Sequence, residues 1–275
     1  MSNTPARTIL AFHQDAKLYE LETTITSIIP FTALEEANQS LFKNAPPSSY
    51  VVITPTTIFH PQGGGQPSDE GTITKISESG SESTAFTVTA VRTSATQQVL
   101  HLGHFASGHT LFSPGDTVLQ SVDVEKRLLY SRYHTAGHVL GAAVRHLLES
   151  EVSGFDELKA SHFPDSAACE FKGLIEGKWK EPIQKRLDEY LAKAMPVEID
   201  FWDEEDFRKN GLERLIPDRG MLPEGEKKFR VVKIVGAETY PCGGTHVERT
   251  DLCGETKVRK ISRGKGVSRV SYSVV

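Results

Sequence analysis

Two histidines lie four residues apart in the segment 131–143, which reads SRYHTAGHVLGAA. On a helix, positions i and i+4 share one face, so the imidazoles of His134 and His138 can reach a common point. At about 100° per residue, the apolar side chains between positions 128 and 147 are centred roughly opposite this pair. The pair therefore lies outside the predicted core stripe. Ligation of a metal ion and an ordinary surface position both remain open for it.

A second pair of metal-binding side chains lies about a hundred residues downstream. Residues 240–247 read YPCGGTHV and contain Cys242 and His246, separated by two glycines and a threonine. Glycines allow a tight backbone turn, so the thiolate and the imidazole can point to one place. Three imidazoles and one thiolate suit Zn²⁺, which accepts nitrogen and sulfur ligands in tetrahedral geometry. We therefore predict one zinc ion per chain.

The other cysteines and a histidine cluster are weaker candidates. Cys253 lies outside any paired spacing, and Cys169 has the apolar neighbours of a small buried residue. His101, His104 and His109 in HLGHFASGH could bind a second metal ion, but a polar loop is the favoured interpretation. Three cysteines in all do not make a disulfide framework.

The bulk composition excludes several classes of protein. The chain has 275 residues, a net charge of -5 and 38% hydrophobic residues, which is typical of a globular protein with room for two domains. It is not coated with basic residues, although a local nucleic-acid site remains possible in principle. We see no apolar run of membrane-spanning length and no secretory signal, so we expect a cytoplasmic protein without membrane contact.

The sequence pattern changes near residue 120, from predicted strands to predicted helices. Before it, short segments rich in Val, Ile and Thr predict strands, and we expect a first domain over residues 1–120 that forms a small barrel or sandwich. The segments are TTITSII, YVVITPT, GTITKI and AFTVTAVR, with an irregular or short helical insertion in 31–47 and a solvated hairpin loop in SESGSESTA. Residues 121–275 predict a second domain with a long helix from about Asp123, helices in 179–195 and 204–212, and a hairpin over 258–274. Helices and strands without regular alternation indicate an α+β fold.

These motifs together resemble those of a known family. HTAGH followed far downstream by CGGTHV resembles the editing domain of alanyl-tRNA synthetase and its free-standing AlaX relatives. The segments VDVEKRLLYSRYHTAGHVLGAA and FHPQGGGQPSDEG, and the closing strand pair, are similar to further motifs of that family. The resemblance implies a small β-barrel followed by a two-layer, zinc-containing editing domain of the threonyl/alanyl-tRNA synthetase second-domain type.

The family resemblance also implies a function. It implies trans-editing, in which an aminoacyl-tRNA deacylase hydrolyses tRNA(Ala) mischarged with serine, and also with glycine. The zinc ligands would be His134, His138, Cys242 and His246. The residues Gly63, Gly64, Gly65 and Gln66 would border the acylated tRNA end. No aminoacylation domain is recognisable, which fits a separate editing factor, and no obligate protein partner is evident.

Polar groups and basic residues extend the candidate site. Gln66 and Thr135 could hydrogen-bond a seryl hydroxyl, although Thr135 could equally bond its own preceding helical turn. The tail contains a cluster of basic residues that could contact tRNA phosphates, or simply form a solvated strand pair. They are Lys257, Arg259, Lys260, Arg263 and Lys265.

Two features leave the chemistry open. Glu is absent between the two histidines, so the metalloprotease arrangement with a built-in base does not apply, and we name no catalytic residue beyond the zinc site. Gly137 stands where the family often has a hydroxyl residue. Two other functions are compatible with the sequence: a zinc-stabilised tRNA-binding module without turnover, and a metal hydrolase acting on a small ester or amide.

Overall fold

The computed structural model describes residues 6–76, 84–106, 111–222 and 225–275. Its contacts divide the chain into two compact units. The first comprises Met1–Gly63 and Pro67–Arg127, and the second comprises Gly64–Gln66 and Leu128–Val275. The short Gly64–Gln66 segment therefore packs with the second unit although it lies within the sequence of the first. The division into domains 1–120 and 121–275 stays a prediction.

The first unit is built on an antiparallel sheet of seven strands in the order β2-β9-β6-β7-β8-β4-β3. Two further short strands, β1 and β5, pair in parallel. The strands are β1 (Ile9–Leu10), β2 (Glu20–Thr24), β3 (Ser27–Pro30), β4 (Tyr50–Ile53), β5 (Thr56–Thr57), β6 (Gly71–Lys75), β7 (Ala85–Thr93), β8 (Val99–Phe105) and β9 (Thr117–Val122). Burial alternates along β9, as expected for a strand with one face on a core. Phe59, Ile73, Phe86 and Val118 lie in that core.

The predicted barrel is not confirmed, because the sheet is open. Among the described residues no strand ladder joins the two edge strands β2 and β3. Only Ile25 and Thr26 connect these edges, so at this end they lie within roughly 11 Å of each other. The amides of Ile25 and Thr26 donate to Asp116 and Ile53, at 2.9 and 2.8 Å, which turns the chain from one edge to the other. The prediction of one strand in TTITSII is therefore wrong.

Two other predicted segments of this unit can be compared with the structure. The insertion in 31–47 contains α1 (Glu36–Gln39), and Phe42 packs with Val51 and Leu100. The favoured polar loop in HLGHFASGH is wrong for its first half, because His101 and His104 lie in β8. His109 and most of SESGSESTA lie outside the described residues.

The second unit combines helices with two antiparallel sheets, ordered β10-β11-β16-β15 and β12-β13-β14. The predicted mixture of helices and strands is confirmed. The helices are α2 (Val124–Leu148), which begins in the first unit, α3 (Lys180–Ala192) and α4 (Glu204–Lys209). The strands are β10 (Asp156–Ser161), β11 (Ala168–Lys172), β12 (Val197–Trp202), β13 (Phe229–Ile234), β14 (Glu238–Pro241), β15 (Thr256–Gly264) and β16 (Val267–Val274).

Helix α2 begins where the sequence predicted. The side chain of Asp123 accepts a hydrogen bond from the Lys126 amide at 3.0 Å, which caps the first turn. Ala136, Val139 and Leu140 lie in the core of the second unit, whereas Leu128, on the predicted core side, is 47% exposed. Within the described residues, no helix has the length and apolar character that crossing a bilayer requires.

Candidate metal centre

Two local structures bring the four predicted ligands together. His134 and His138 are one turn apart on α2, and Cys242 follows directly after β14. The Cys242 amide donates to the carbonyl of Arg230 on β13 at 3.1 Å, which ties the start of the glycine turn to the sheet. A Cβ at Gly244 would collide with the His134 imidazole. Glycine is therefore required where the turn meets the helix.

The ligand atoms of these four residues lie within 4.8 Å of one another. Cys242 Sγ is 3.4 Å from His134 Nε2 and 3.2 Å from His246 Nε2. Tetrahedral zinc with ordinary Zn–N and Zn–S bonds places its ligand atoms about 3.3–3.7 Å apart. The two sulfur–nitrogen distances are close to this spacing, and the group as a whole could hold a metal ion. Its role as the ligand set stays a prediction.

Neutral partners orient two of these imidazoles. The Thr245 amide donates to Gln66 Oε1 at 3.0 Å, which identifies that atom as the amide oxygen. His134 Nδ1, 2.7 Å from the same oxygen, must therefore carry the proton, leaving the Nε2 lone pair on the side of Cys242. His246 Nδ1 lies 3.1 Å from the hydroxyl of Thr135, which also accepts from the Val247 amide. Both rings thus direct Nε2 toward the thiol.

Burial controls the charge of the other two ligands. It lowers the pKa of His138 to about 3, with smaller contributions from His162 and Arg230, so this imidazole stays neutral and able to ligate. Its buried Nδ1 has no hydrogen-bond partner among the described residues. Burial also raises the pKa of the Cys242 thiol, against smaller opposing effects of Arg230 and the Gly244 amide. A thiolate here needs a nearby cation, which is consistent with a metal ion.

The predicted substrate-binding residues occupy different surroundings. Gln66 and Thr135 are both 0% exposed, and their polar atoms bond to imidazoles of the candidate ligand group and to the segment 245–247. Gly65 accepts a hydrogen bond from the His162 amide at 2.8 Å. Gly63 and Gly64 are exposed. Contact of any of these residues with a substrate stays a prediction.

A buried ion pair in the first unit was not foreseen from the sequence. Asp69 pairs with Arg127, and both side chains are 1% exposed. The carboxylate also accepts from the His60 amide at 2.6 Å, and Arg127 donates to the carbonyl of Ala16 at 2.8 Å. These bonds fix the backbone on both sides of the glycine-rich stretch. The acidic residue alone gave no signal, because its partner lies 58 positions away.

A fourth imidazole, also missed from the sequence, lies against the cluster. The ring of His162 stacks on His134 with centroids 4.2 Å apart and planes inclined by 25°. Its Nδ1 is 2.7 Å from the hydroxyl of Tyr272, and burial lowers its pKa to about 4. A Cβ at Gly137 would collide with this ring. The glycine that departs from the family pattern therefore makes room for His162.

The predicted tRNA-binding residues lie on the closing hairpin. A bulge between Val258 and Lys260 leaves Arg259 and Lys260 both exposed, and strand β15 is an edge of its sheet. Lys257 pairs with Glu255 at 2.9 Å, whereas within the described residues Arg259, Lys260, Arg263 and Lys265 take part in no ion pair. Charges on an edge strand also discourage pairing with other chains, so this pattern has a structural explanation too.

Comparisons with known proteins agree with the resemblance. Residues 229–271, which include Cys242 and His246, match the family described as the threonyl and alanyl tRNA synthetase second additional domain. The alanyl-tRNA editing protein AlaX-L of Pyrococcus horikoshii is 27% identical over 81% of this chain and 50% of its own length.

Alanine–tRNA ligases are also similar to this chain. That of Methanothermobacter thermautotrophicus is 26% identical over 81% of the chain, and that of Methanococcus maripaludis is 31% identical over 82%. The matched region spans 50% of the editing protein and 23% of each ligase. The chain therefore corresponds to about half of the editing protein and about a quarter of the ligases. The predicted resemblance to the alanyl-tRNA synthetase editing family is confirmed.

Proposed function

We propose that this chain, which resembles the alanyl-tRNA editing proteins, is a trans-acting deacylase of mischarged tRNA(Ala). Ser-tRNA(Ala) is its chief substrate and Gly-tRNA(Ala) a second one, one Zn²⁺ per chain is its cofactor, and the cytoplasm is its compartment. One observation carries the proposal: side chains from HTAGH and from CGGTH converge in a single group whose ligand atoms lie within 4.8 Å of one another.

The chemistry required is modest. The aminoacyl ester is already activated, so a catalyst mainly orients water and stabilises negative charge on the carbonyl oxygen. Bound Zn²⁺ would supply Lewis-acid polarisation at this place, held by His134, His138, Cys242 and His246. Gln66 and Thr135 keep two of these imidazoles in a fixed orientation through the hydrogen bonds to their Nδ1 atoms. We assign no proton acceptor.

The proposal is tested by deacylation of three charged tRNAs. The wild type should release serine and glycine from tRNA(Ala) and leave Ala-tRNA(Ala) intact. Cys242→Ala should abolish this activity together with metal binding. Cys253→Ala is a matched control, because this second cysteine is 0% exposed and lies outside the cluster. Equal attack on all three tRNAs would reject the selectivity, and absence of hydrolysis would reject the proposed function.

One feature favours a second candidate, a zinc-stabilised tRNA-binding module without turnover. Four protein ligands are typical of a closed structural zinc site, whereas catalytic sites usually keep one open position. This candidate predicts tRNA binding and loss of structure on chelation, with no deacylation. A metal hydrolase of small esters or amides would instead work without RNA, and the same assay with an RNA-free ester detects it.

For tRNA binding, we propose the exposed basic residues of the hairpin. Changing Lys257 and Arg263 to Glu should weaken tRNA binding and reduce its dependence on salt, because fewer counterions are released. The same charge change at Lys180 and Lys228, exposed in other parts of the second unit, is the control. Equal tRNA affinities of the two double variants would show that the RNA-binding surface lies elsewhere.

A further inference from the structure

His162 lies beside the candidate metal centre without belonging to the ligand group. Its side chain is 3% exposed and stacks on His134, and its ring plane is within 21° of that of His138 at a centroid distance of 6.1 Å. A buried polar side chain normally has hydrogen-bond partners for all its polar atoms. Each of the two nitrogens of this ring is therefore expected to have a hydrogen-bond partner.

One nitrogen of His162 forms a hydrogen bond within the protein. The hydroxyl of Tyr272 donates to the carbonyl of Tyr133 at 2.9 Å, and a carbonyl oxygen can only accept. The single hydroxyl proton is thereby used, so the 2.7 Å contact with His162 Nδ1 requires that nitrogen to donate. His162 is consequently held as the Nδ1–H tautomer. Its Nε2 carries a lone pair for which the described residues provide no partner.

The ring is also held in position. The His162 amide donates to the carbonyl of Gly65 at 2.8 Å. Any side chain at position 137 would collide with the ring, and Gly137 has none. Cys169 Sγ donates to the Gly137 carbonyl at 3.4 Å, which anchors this part of the helix. A hydrogen-bond acceptor is therefore held in a fixed ring orientation beside the cluster. An acceptor in such a place can distinguish a ligand that carries a hydrogen-bond donor from one that lacks it.

We infer that Nε2 of His162 accepts a hydrogen bond from the side-chain hydroxyl of a seryl group at this site. The inference rests on the proposed function and names the residue that distinguishes serine from alanine. A hydroxyl fits better than the α-ammonium group, because a positive charge already lies beside the cluster. Arg230 donates to the Cys242 carbonyl at 2.5 Å. A second cation would be repelled there.

The test measures binding of two non-hydrolysable probes, adenosine carrying 3′-amide-linked serine or alanine, by calorimetry. The wild type should bind the seryl probe about tenfold more tightly, as expected for one additional hydrogen bond. His162→Phe keeps a stacking ring without the acceptor. It should reduce seryl binding to the alanyl level and leave alanyl binding unchanged. Zinc content and melting temperature are measured for every variant.

The chain offers a matched control and a second variant. His146 also contacts a tyrosine hydroxyl through Nδ1, at 2.6 Å from Tyr190, so His146→Phe should keep the seryl preference. Tyr272→Phe removes the partner that fixes the tautomer and should reduce the preference partly. It gives an independent reading if His162→Phe does not fold.

Several results would overturn the inference. They are equal wild-type binding of the two probes, binding of neither, a preserved preference in His162→Phe, and an equal loss for both probes in that variant. The proposed function fails separately. If the wild type shows a seryl preference that depends on His162 but does not hydrolyse Ser-tRNA(Ala), the deacylase is rejected and the hydroxyl acceptor stands.

Discussion

Replacing Gln66 by Met should weaken metal binding while preserving the volume of the side chain. Gln66 is 0% exposed, and its amide oxygen accepts from His134 Nδ1 at 2.7 Å and from the Thr245 amide at 3.0 Å. Its amide nitrogen donates to the Thr245 hydroxyl at 2.9 Å. One residue therefore orients a candidate ligand imidazole and the turn that carries two other candidate ligands. Methionine removes all three bonds without opening a cavity.

The size of the effect follows from the groups left without partners. The Nδ1–H of His134 and the N–H of Thr245 both lose their acceptor, and a buried unpaired donor costs about 1–3 kcal/mol. We expect a loss of about 2–4 kcal/mol in the free energy of unfolding of the metal-free protein. Loss of such an outer partner typically weakens metal affinity by about 10–100-fold, because the ligand ring is no longer held in one orientation.

A second buried glutamine supplies the control. Gln120 is also 0% exposed; its oxygen accepts from the Ile58 amide at 3.0 Å, and its nitrogen donates to the Thr54 hydroxyl at 3.0 Å and to the Thr56 carbonyl at 3.2 Å. Gln120→Met should lower stability and leave zinc affinity unchanged. Affinity is measured by competition with a chromophoric chelator, and stability by urea unfolding. Wild-type affinity in Gln66→Met, or an equal loss of affinity in both variants, would refute the reasoning.

Three further predictions concern stability. Asp69→Asn leaves the Arg127 guanidinium buried without a counter-charge and should cost about 3–5 kcal/mol in urea unfolding, and an unchanged midpoint would contradict this. Burial lowers the pKa of His101 from 6.5 to about 4, so the unfolded chain takes up this proton first as the pH falls. The free energy of unfolding should therefore decrease as the pH falls from about 6.5 to 4, by up to about 3 kcal/mol for this group. The decrease should be smaller in His101→Gln. Chelation should lower the melting temperature of the wild type but not that of Cys242→Ala, which calorimetry can compare.

Local pattern was sufficient for the helix and the turn that carry the candidate ligands. The spacing of His134 and His138, the cap at Asp123 and the paired glycines after Cys242 are all properties of short segments. Each is set by helical geometry or by backbone freedom, which act over a few residues. The convergence of the two segments was inferred from the chemistry of their ligands.

The partners behind the ligands could not be predicted in this way. Gln66 and Thr245 are 179 positions apart, and His162 and Tyr272 are 110 apart. No periodicity relates such positions, because the contact depends on how sheets and helix pack. His162 also stands alone in its segment, so its residue type gave no signal of a site. The open sheet could not be predicted for a similar reason. The sequence indicated the strand segments, but it did not indicate how the edge strands pair.

The outer partners explain what kind of chemistry the centre favours. His134 and His246 hydrogen-bond through Nδ1 to an amide oxygen and to a hydroxyl, both neutral, and burial keeps His138 uncharged. With one thiolate as the single anionic ligand, a divalent ion would leave a net positive charge in a buried place. Arg230 adds to it, donating to the carbonyl of Cys242 itself. Such a potential stabilises negative charge that develops on an ester oxygen and opposes a cationic side chain. A group bound at this place should then be a neutral hydrogen-bonding one, as we propose for the hydroxyl that reaches Nε2 of His162.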